Sequence, residues 1–277
     1  MTRIADTFRS LDARGEGAYI PYVCAGDPSP EFTIRLVKTL FDSGADIIEL
    51  GLPFSDPIAD GPTIQAAMGR SLSAGLKVKD VFAIMSSIRA SDPNRPIVLM
   101  TYFNPVMRMG VDEFCRRLAT AGGDGILVVD VPPEESSELE DATKANSLDI
   151  IRLVAPSTQE ERIDEILSKA SGYVYAVSVS GVTGARDKLG SAGLELVSRV
   201  ASRGVLPVAL GFGISRPEHV RQAISAGASG VVEGSGLISV YSKNQGSEDS
   251  SLLAISEHAR EMKAATVGAT LKISSGH

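Results

Sequence analysis

Short apolar runs alternate along this chain with longer stretches in which apolar positions recur every three or four residues. The short runs are near-continuously apolar and rich in Val, Ile and Tyr. They fall at 18–25, 46–51, 97–102, 125–130, 150–155, 173–178, 207–211 and 230–233. That pattern predicts parallel strands covered by helices, not half-exposed antiparallel ones. The helical stretches fall at 30–43, 62–74, 78–91, 111–121, 134–145, 159–170, 192–202 and 216–226. Their ends carry local signals. Ser29 precedes Pro30 and Glu31, and Ser215 precedes Arg216-Pro217-Glu218, each reading as a hydroxyl N-cap with an acid in the first turn. Gly44, Gly122, Gly204 and Gly227 close helices as C-cap glycines.

Eight strands alternating with at least eight helices over about 250 residues predict an α/β fold, a (β/α)8 TIM barrel with extra helices. Repeated joints of one kind, Ser43-Gly-Ala-Asp, Ala121-Gly-Gly-Asp-Gly and Ala226-Gly-Ala-Ser-Gly, read as tight helix-to-strand turns on the bottom face. The competing architecture is a doubly wound open sheet, but no Gly-x-Gly-x-x-Gly opens the first strand–helix turn. No Pro-, Gly- or Ser-rich linker divides the chain, so residues 1–265 are expected to form one barrel domain. Residues 244–251 read as a polar surface loop and 266–277 as a flexible C-terminal tail.

Composition narrows the function classes. A net charge of -7 with no basic run argues against nucleic acid or an anionic membrane surface as the main partner. No apolar stretch reaches the roughly 18 residues of a transmembrane helix. The N-terminus is amphipathic and lacks a signal-peptide core, so a cytoplasmic location is expected. The two cysteines, Cys24 and Cys115, sit far apart in apolar runs and read as buried free thiols. His219, His258 and His277 fall in helical or tail regions, and no lysine lies within a strand-like run. A Ser-His nucleophile, a His-rich metal site and a Schiff-base lysine are thereby set aside, and no metal ligand is assigned.

The chemistry must therefore rest on carboxylates. A barrel carries its site at the C-terminal ends of its strands. The acids there are Glu49, Asp56, Asp60, Asp130 and Glu233. Glu49 interrupts the run Ile47-Ile48-Glu49-Leu50, a costly place for a carboxylate unless it is paired or functional. Burial there would raise its proton affinity towards neutral pH. Asp60, before Gly61-Pro62, is either a functional acid or the N-cap of the next helix. Asp56 and Asp130 are turn-forming or contact residues, and Glu233 reads as structural. Glycine-rich turns at the last two strand ends, Gly211-Phe-Gly-Ile-Ser215 and Glu233-Gly-Ser-Gly236, are either plain tight turns or a phosphate cradle. Their placement favours the cradle. The polar, glycine-containing loop from Ser180 to Lys188, with Thr183 and Arg186, reads as a lid. Tyr102, Leu127, Tyr173 and Tyr175 read mostly as core, with room to line an apolar slot.

The run Glu49-Leu-Gly-Leu-Pro-Phe-Ser-Asp-Pro-Ile-Ala-Asp-Gly-Pro-Thr-Ile-Gln65 closely resembles the signature of the tryptophan synthase alpha chain family. So do Pro21-Tyr-Val-Cys-Ala-Gly-Asp-Pro, Met100-Thr-Tyr-Phe-Asn-Pro, Asp130-Val-Pro-Pro-Glu-Glu, Ser180-Gly-Val-Thr-Gly and Leu210-Gly-Phe-Gly-Ile. The resemblance implies a barrel that cleaves indole-3-glycerol phosphate to indole and glyceraldehyde 3-phosphate. It implies no cofactor in this chain. Pyridoxal phosphate is expected only in a beta-chain partner, within an alpha2-beta2 heterotetramer. By the same resemblance Glu49 would be the acid–base, and Asp60 would accept the indole N–H. Tyr22, Tyr102, Leu127, Tyr175, Thr183 and Phe212 would line the substrate. Gly184, Gly213, Gly234 and Ser235 would hold the phosphate. Pro53, Asp56, Asn104 and Pro132 would face the beta chain. Two positions depart from the family pattern: Tyr22 stands where Phe is frequent, and Gly236 where Ala is common. The competing readings are another phosphate-binding barrel, which generally places a lysine at a strand end, and a non-catalytic activator of a beta-type partner, against which intact Glu49 and Asp60 argue.

Overall fold

The computed structural model describes residues 2–178, 189–243 and 247–268. Thr183, Gly184 and Arg186, and with them the expected lid, lie outside the described residues, as do 269–277. The elements run α1 (Arg3–Asp12), β1 (Ala18–Cys24), α2 (Pro30–Asp42), β2 (Ile48–Gly51), α3 (Pro62–Ser73), α4 (Val78–Ser91), β3 (Ile97–Thr101), α5 (Phe103–Met109), α6 (Val111–Thr120) and β4 (Gly125–Val128). They continue α7 (Ser137–Ala145), β5 (Asp149–Ile150), β6 (Arg152–Val154), α8 (Glu160–Ser168), β7 (Val174–Val177), α9 (Ser191–Ala201), β8 (Val208–Gly211), α10 (Pro217–Ser225), β9 (Gly230–Glu233), α11 (Ser235–Lys243) and α12 (Glu248–Ala264).

The strands neighbour one another in the order β5-β4-β3-β2-β1-β9-β8-β7-β6, and their pairings are parallel. The expected fifth strand is split into β5 and β6, which closes the ring. Its first half pairs with β4, Ile151 N–H still reaches Ile126 O at 2.9 Å, and its second half pairs with β7. A strand that changes neighbours midway must bend, and the single residue Ile151 absorbs that bend.

Side chains alternate across the pleat, so every second residue of each strand points into the barrel. Ile20, Ile47, Val98, Leu127, Ile151, Tyr173, Tyr175, Ala209 and Val232 form this inner core. The amphipathic N-terminus folds as α1. Ile4, Phe8 and Leu11 of that helix plug the bottom, with Phe8 5.9 Å from the Tyr173 ring. The opposite faces of the strands pack on the helices in a second, larger cluster.

Several helix boundaries differ from expectation. Helices α1, α5, α11 and α12 were not among the eight expected. The stretch expected as a loop at 244–251 instead contains the start of α12, capped by Ser247, whose hydroxyl accepts from Ser250 N–H at 3.1 Å. Ser215 does not cap α10. Arg216 occupies that position, and Ser215 N–H donates to His219 Nδ1 at 3.3 Å. The helix expected from 134 starts at Ser137, after a single 3-10 turn. Chain packing continues past residue 265: Thr266 is buried, and Val267 bridges back to Glu16.

Candidate active site

Glu49 sits on β2, two residues above Ile47 on the inward face, with Tyr22 beside it across the β1–β2 register. It is 1% exposed. Tyr173 donates to its Oε1 over a long 3.4 Å. Burial pushes the Glu49 carboxyl up to about 8; the Tyr173 donation pulls the other way and the charge of Asp60 adds to the rise. A carboxyl in this state holds its proton near neutral pH and can deliver it to a substrate.

Asp60 ends the segment between β2 and α3. The cap position of α3 belongs to Gly61, with no side-chain cap bond, so the capping role open to Asp60 in the sequence is not its role. Its Oδ2 accepts from the Tyr102 hydroxyl at 2.6 Å. The Tyr102 oxygen in turn accepts from Ala59 N–H at 2.9 Å, and its ring stacks on Phe54 at 5.0 Å. Gln65 Nε2 holds the Asp60 backbone carbonyl at 2.8 Å. The segment is thus tied to the end of β3 and the first turn of α3. Burial raises the Asp60 carboxyl, and the Tyr102 bond lowers it. Its Oδ1 is buried with no hydrogen-bond partner. Two buried carboxyls that sense each other's charge, one held protonated and one hydrogen-bonded, form an acid pair suited to separate roles.

The late turns follow β8 and β9. After Gly211 the chain turns through Phe212 and Gly213, both at positive φ (68° and 79°). That conformation is strained for a bulky residue. The Ser178 hydroxyl holds it by donating to Phe212 O at 2.7 Å. A Cβ at Gly211 would fall 2.1 Å from the Tyr175 hydroxyl, so glycine there makes room for that ring. Beyond β9, Gly234 leads directly into Ser235, the first residue of α11. Helix N-termini present N–H groups without intrahelical partners, a natural anion cradle. Glu233, directly before this turn, is fully buried and structural. It accepts from Tyr19 at 2.7 Å and pairs with His258 at 2.8 Å. A Cβ on Gly236 would meet Glu233 Oε1 at 2.4 Å, which explains the glycine at that departure from the family pattern.

The described part of the expected set therefore converges on one end of the barrel. Tyr22, Tyr102 and Tyr175 face the acid pair, Leu127 belongs to the inner core and Phe212 packs on Tyr175, while Gly213, Gly234 and Ser235 sit on the two late turns; Thr183 and Gly184 lie outside the described residues. Of the expected partner-facing residues, Asp56 and Asn104 are exposed, Pro132 is half-buried and Pro53 is buried. Sequence reasoning missed Tyr173 as a contact of Glu49. It also missed two exposed apolar residues near Asp56 and Asn104 in the chain: Ile58 is 85% exposed and Met107 58%. Asp130 accepts from Phe103 N–H at 2.7 Å, a loop-ordering role. Cys24 and Cys115 are buried free thiols. Among the described residues no helix is long and apolar enough to cross a membrane.

The profile of the tryptophan synthase alpha chain family matches residues 8–267. This chain belongs to the tryptophan synthase alpha chain family. The tryptophan synthase alpha chain of Methanothermobacter thermautotrophicus is 47% identical over 261 residues, covering 94% of this chain and 95% of its own length. That of Carboxydothermus hydrogenoformans is 43% identical, covering 95% and 99%. A solved chain of Mycobacterium tuberculosis tryptophan synthase superposes with a TM-score of 0.87 at 37% identity, over 96% of this chain and 98% of that one. The Legionella pneumophila alpha subunit gives 0.86 at 36% identity, covering 96% and 98%. The tryptophan synthase alpha fold thus accounts for nearly the whole chain.

Proposed function

We propose that Glu49 and Asp60 carry the chemistry of the alpha reaction of tryptophan synthase. Family membership gives the chain the alpha-subunit role in tryptophan biosynthesis. That role is the lyase reaction in which indole-3-glycerol phosphate is cleaved to indole and glyceraldehyde 3-phosphate. The observation that carries the residue assignment is the buried acid pair, with Glu49 raised to about 8 and Asp60 hydrogen-bonded to Tyr102.

Protonated Glu49 gives its proton to indole C3. Positive charge then develops on the ring and its N–H, and the Asp60 carboxylate beside it stabilises that charge. The Glu49 carboxylate next takes the proton of the glycerol hydroxyl. The carbon–carbon bond breaks, its electrons return to the ring, and an aldehyde forms. The proton balance closes within one residue. The indole ring would be bound by Tyr22, Tyr102, Leu127, Tyr175, Thr183 and Phe212, and the phosphate by Gly184, Gly213, Gly234 and Ser235. Pyridoxal phosphate is assigned to the beta partner and none to this chain.

The test is indole release from indole-3-glycerol phosphate, followed from pH 5 to 10 with and without a beta chain. The active form has Glu49 protonated and Asp60 ionised. The kcat/KM profile should therefore fall on the alkaline side near the Glu49 value of about 8. Release of no indole in either condition would overturn the assignment, and a profile flat to pH 10 would remove Glu49 as the acid.

For the partner we infer an alpha2-beta2 assembly in the cytoplasm. Pro53, Asp56, Asn104 and Pro132 would face the beta chain, joined by Ile58. A solvent-facing Ile in a loop beside the site fits an anchor that is covered on assembly. Ile58→Glu should weaken beta-chain binding at least about tenfold in a calorimetric titration. Parental affinity would place the interface elsewhere.

A further inference from the structure

Two buried polar atoms at this end of the barrel stand without an oxygen or nitrogen partner: the Tyr22 hydroxyl and Asp60 Oδ1. Orphaned buried polar atoms are uncommon, and each is destabilising unless something uses it. The Tyr22 ring is buried between strand ends. A Cβ at Gly51 would fall 2.2 Å from its hydroxyl, and the Cβ position of Gly234 lies 3.8 Å from the Tyr22 Cβ. The ring therefore runs from the phosphate turn on β9 to the root of the segment carrying Asp60. The Cys24 thiol near its hydroxyl is only a weak acceptor.

We infer that the Tyr22 hydroxyl is a positioning group for Asp60, donating to its idle Oδ1 once substrate settles the 52–61 segment. Asp60 then sits between two tyrosine hydroxyls: Tyr102 on Oδ2, already engaged at 2.6 Å, and Tyr22 on Oδ1. A carboxylate has about four acceptor sites, so the indole N–H still finds one. Two hydroxyl donors favour the ionised form and fix the plane of the carboxylate. The inference rests on the reading of Asp60 as the group beneath the indole nitrogen.

The other titratable groups facing this pair are Glu49 on β2, Cys24 on β1, Tyr102 after β3 with Asp130 behind it, Tyr175 on β7 and Tyr241 on α11. Burial holds all four tyrosine hydroxyls, Tyr22 included, protonated well above neutral pH, and Cys24 likewise. Among the groups here whose proton affinity burial shifts, only the carboxyls Glu49 and Asp60 are left to shape a profile between pH 5 and 9.

The experiment is Tyr22→Phe in the full chain with a beta chain present, read as a kcat/KM profile together with thermal melting. The ring is retained and an unpaired hydroxyl removed, so the ligand-free variant should melt no lower than the parent. Loss of a hydrogen bond to a charged group should lower kcat/KM about tenfold at pH 6 to 7. Loss of a donor to the ionised form should also move the acid limb to higher pH, while the alkaline limb set by Glu49 stays in place. An unchanged acid limb, or a uniform loss at every pH with a lower melting temperature, would overturn the inference while leaving the function assignment standing. If the parent itself releases no indole, both fall together.

Discussion

Replacing Glu49 with glutamine should lower indole release by about 10³-fold while making the folded chain more stable above pH 5. The two effects have one cause. A carboxyl that titrates near 8 in the folded chain and at 4.5 in an unfolded one binds its proton more tightly when folded. Stability is then greatest below the unfolded value and is lost as pH rises towards the folded one, at about 1.4 kcal/mol per pH unit. Glutamine has the same shape and can accept the Tyr173 hydroxyl, but it has no proton to lose. The gap in melting temperature between variant and parent should therefore widen from about pH 5 to pH 8 and level off above. Other groups, including His258, which pairs with Glu233 and likewise binds its proton more tightly when folded, are common to both proteins and cancel in the difference. Thermal melts at unit pH intervals decide the matter. A gap that is constant with pH would mean that Glu49 is not held protonated by burial, and its role as the acid would have to go to another group.

What was legible in the sequence follows from how each feature is encoded. Strands buried on both sides leave continuous apolar runs, so all eight barrel strands were placed to within a residue or two at most of their ends. The break at Ile151 was not legible, because it reflects a change of neighbour, not of composition. Helix α5 was hidden by Pro105 in its first turn, and α11 by the glycines around its start. Helix α12 did carry a signal, Ser247 followed by Glu248 and Asp249, but the polar residues before it read as loop. Glu49 stood out because a carboxylate in an apolar run needs a reason. Asp60 was ambiguous because an acid before Gly-Pro is equally a helix cap, and only the geometry of Gly61 separates the two. The approach of Tyr173 to Glu49, the pairing of Glu233 with His258 and the positive φ of Phe212 are properties of register and packing across the barrel. No local pattern encodes them.

Asp60→Asn should leave the fold intact and lower kcat by about 100-fold or more, with a smaller effect on KM. The fold should hold because Asp60 caps no helix and its segment is anchored by other bonds: Ala59 to Tyr102, Gln65 to two backbone carbonyls, and the Phe54–Tyr102 stack. An asparagine carbonyl can still accept the Tyr102 hydroxyl. Its amide then occupies the position of Oδ1, where it presents hydrogens towards the indole N–H and no charge. The ground-state ring, nearly neutral, loses little. The protonated ring, which forms when C3 takes the proton of Glu49, loses its counter-charge inside a low-dielectric cavity, where such a charge matters most. The loss should therefore fall on kcat, and steady-state kinetics on indole-3-glycerol phosphate will show whether it does. A variant with near-parental kcat and a raised KM would mean that Asp60 only binds the ring. The positive charge would then have to be stabilised by Glu49 alone, after it has given up its proton.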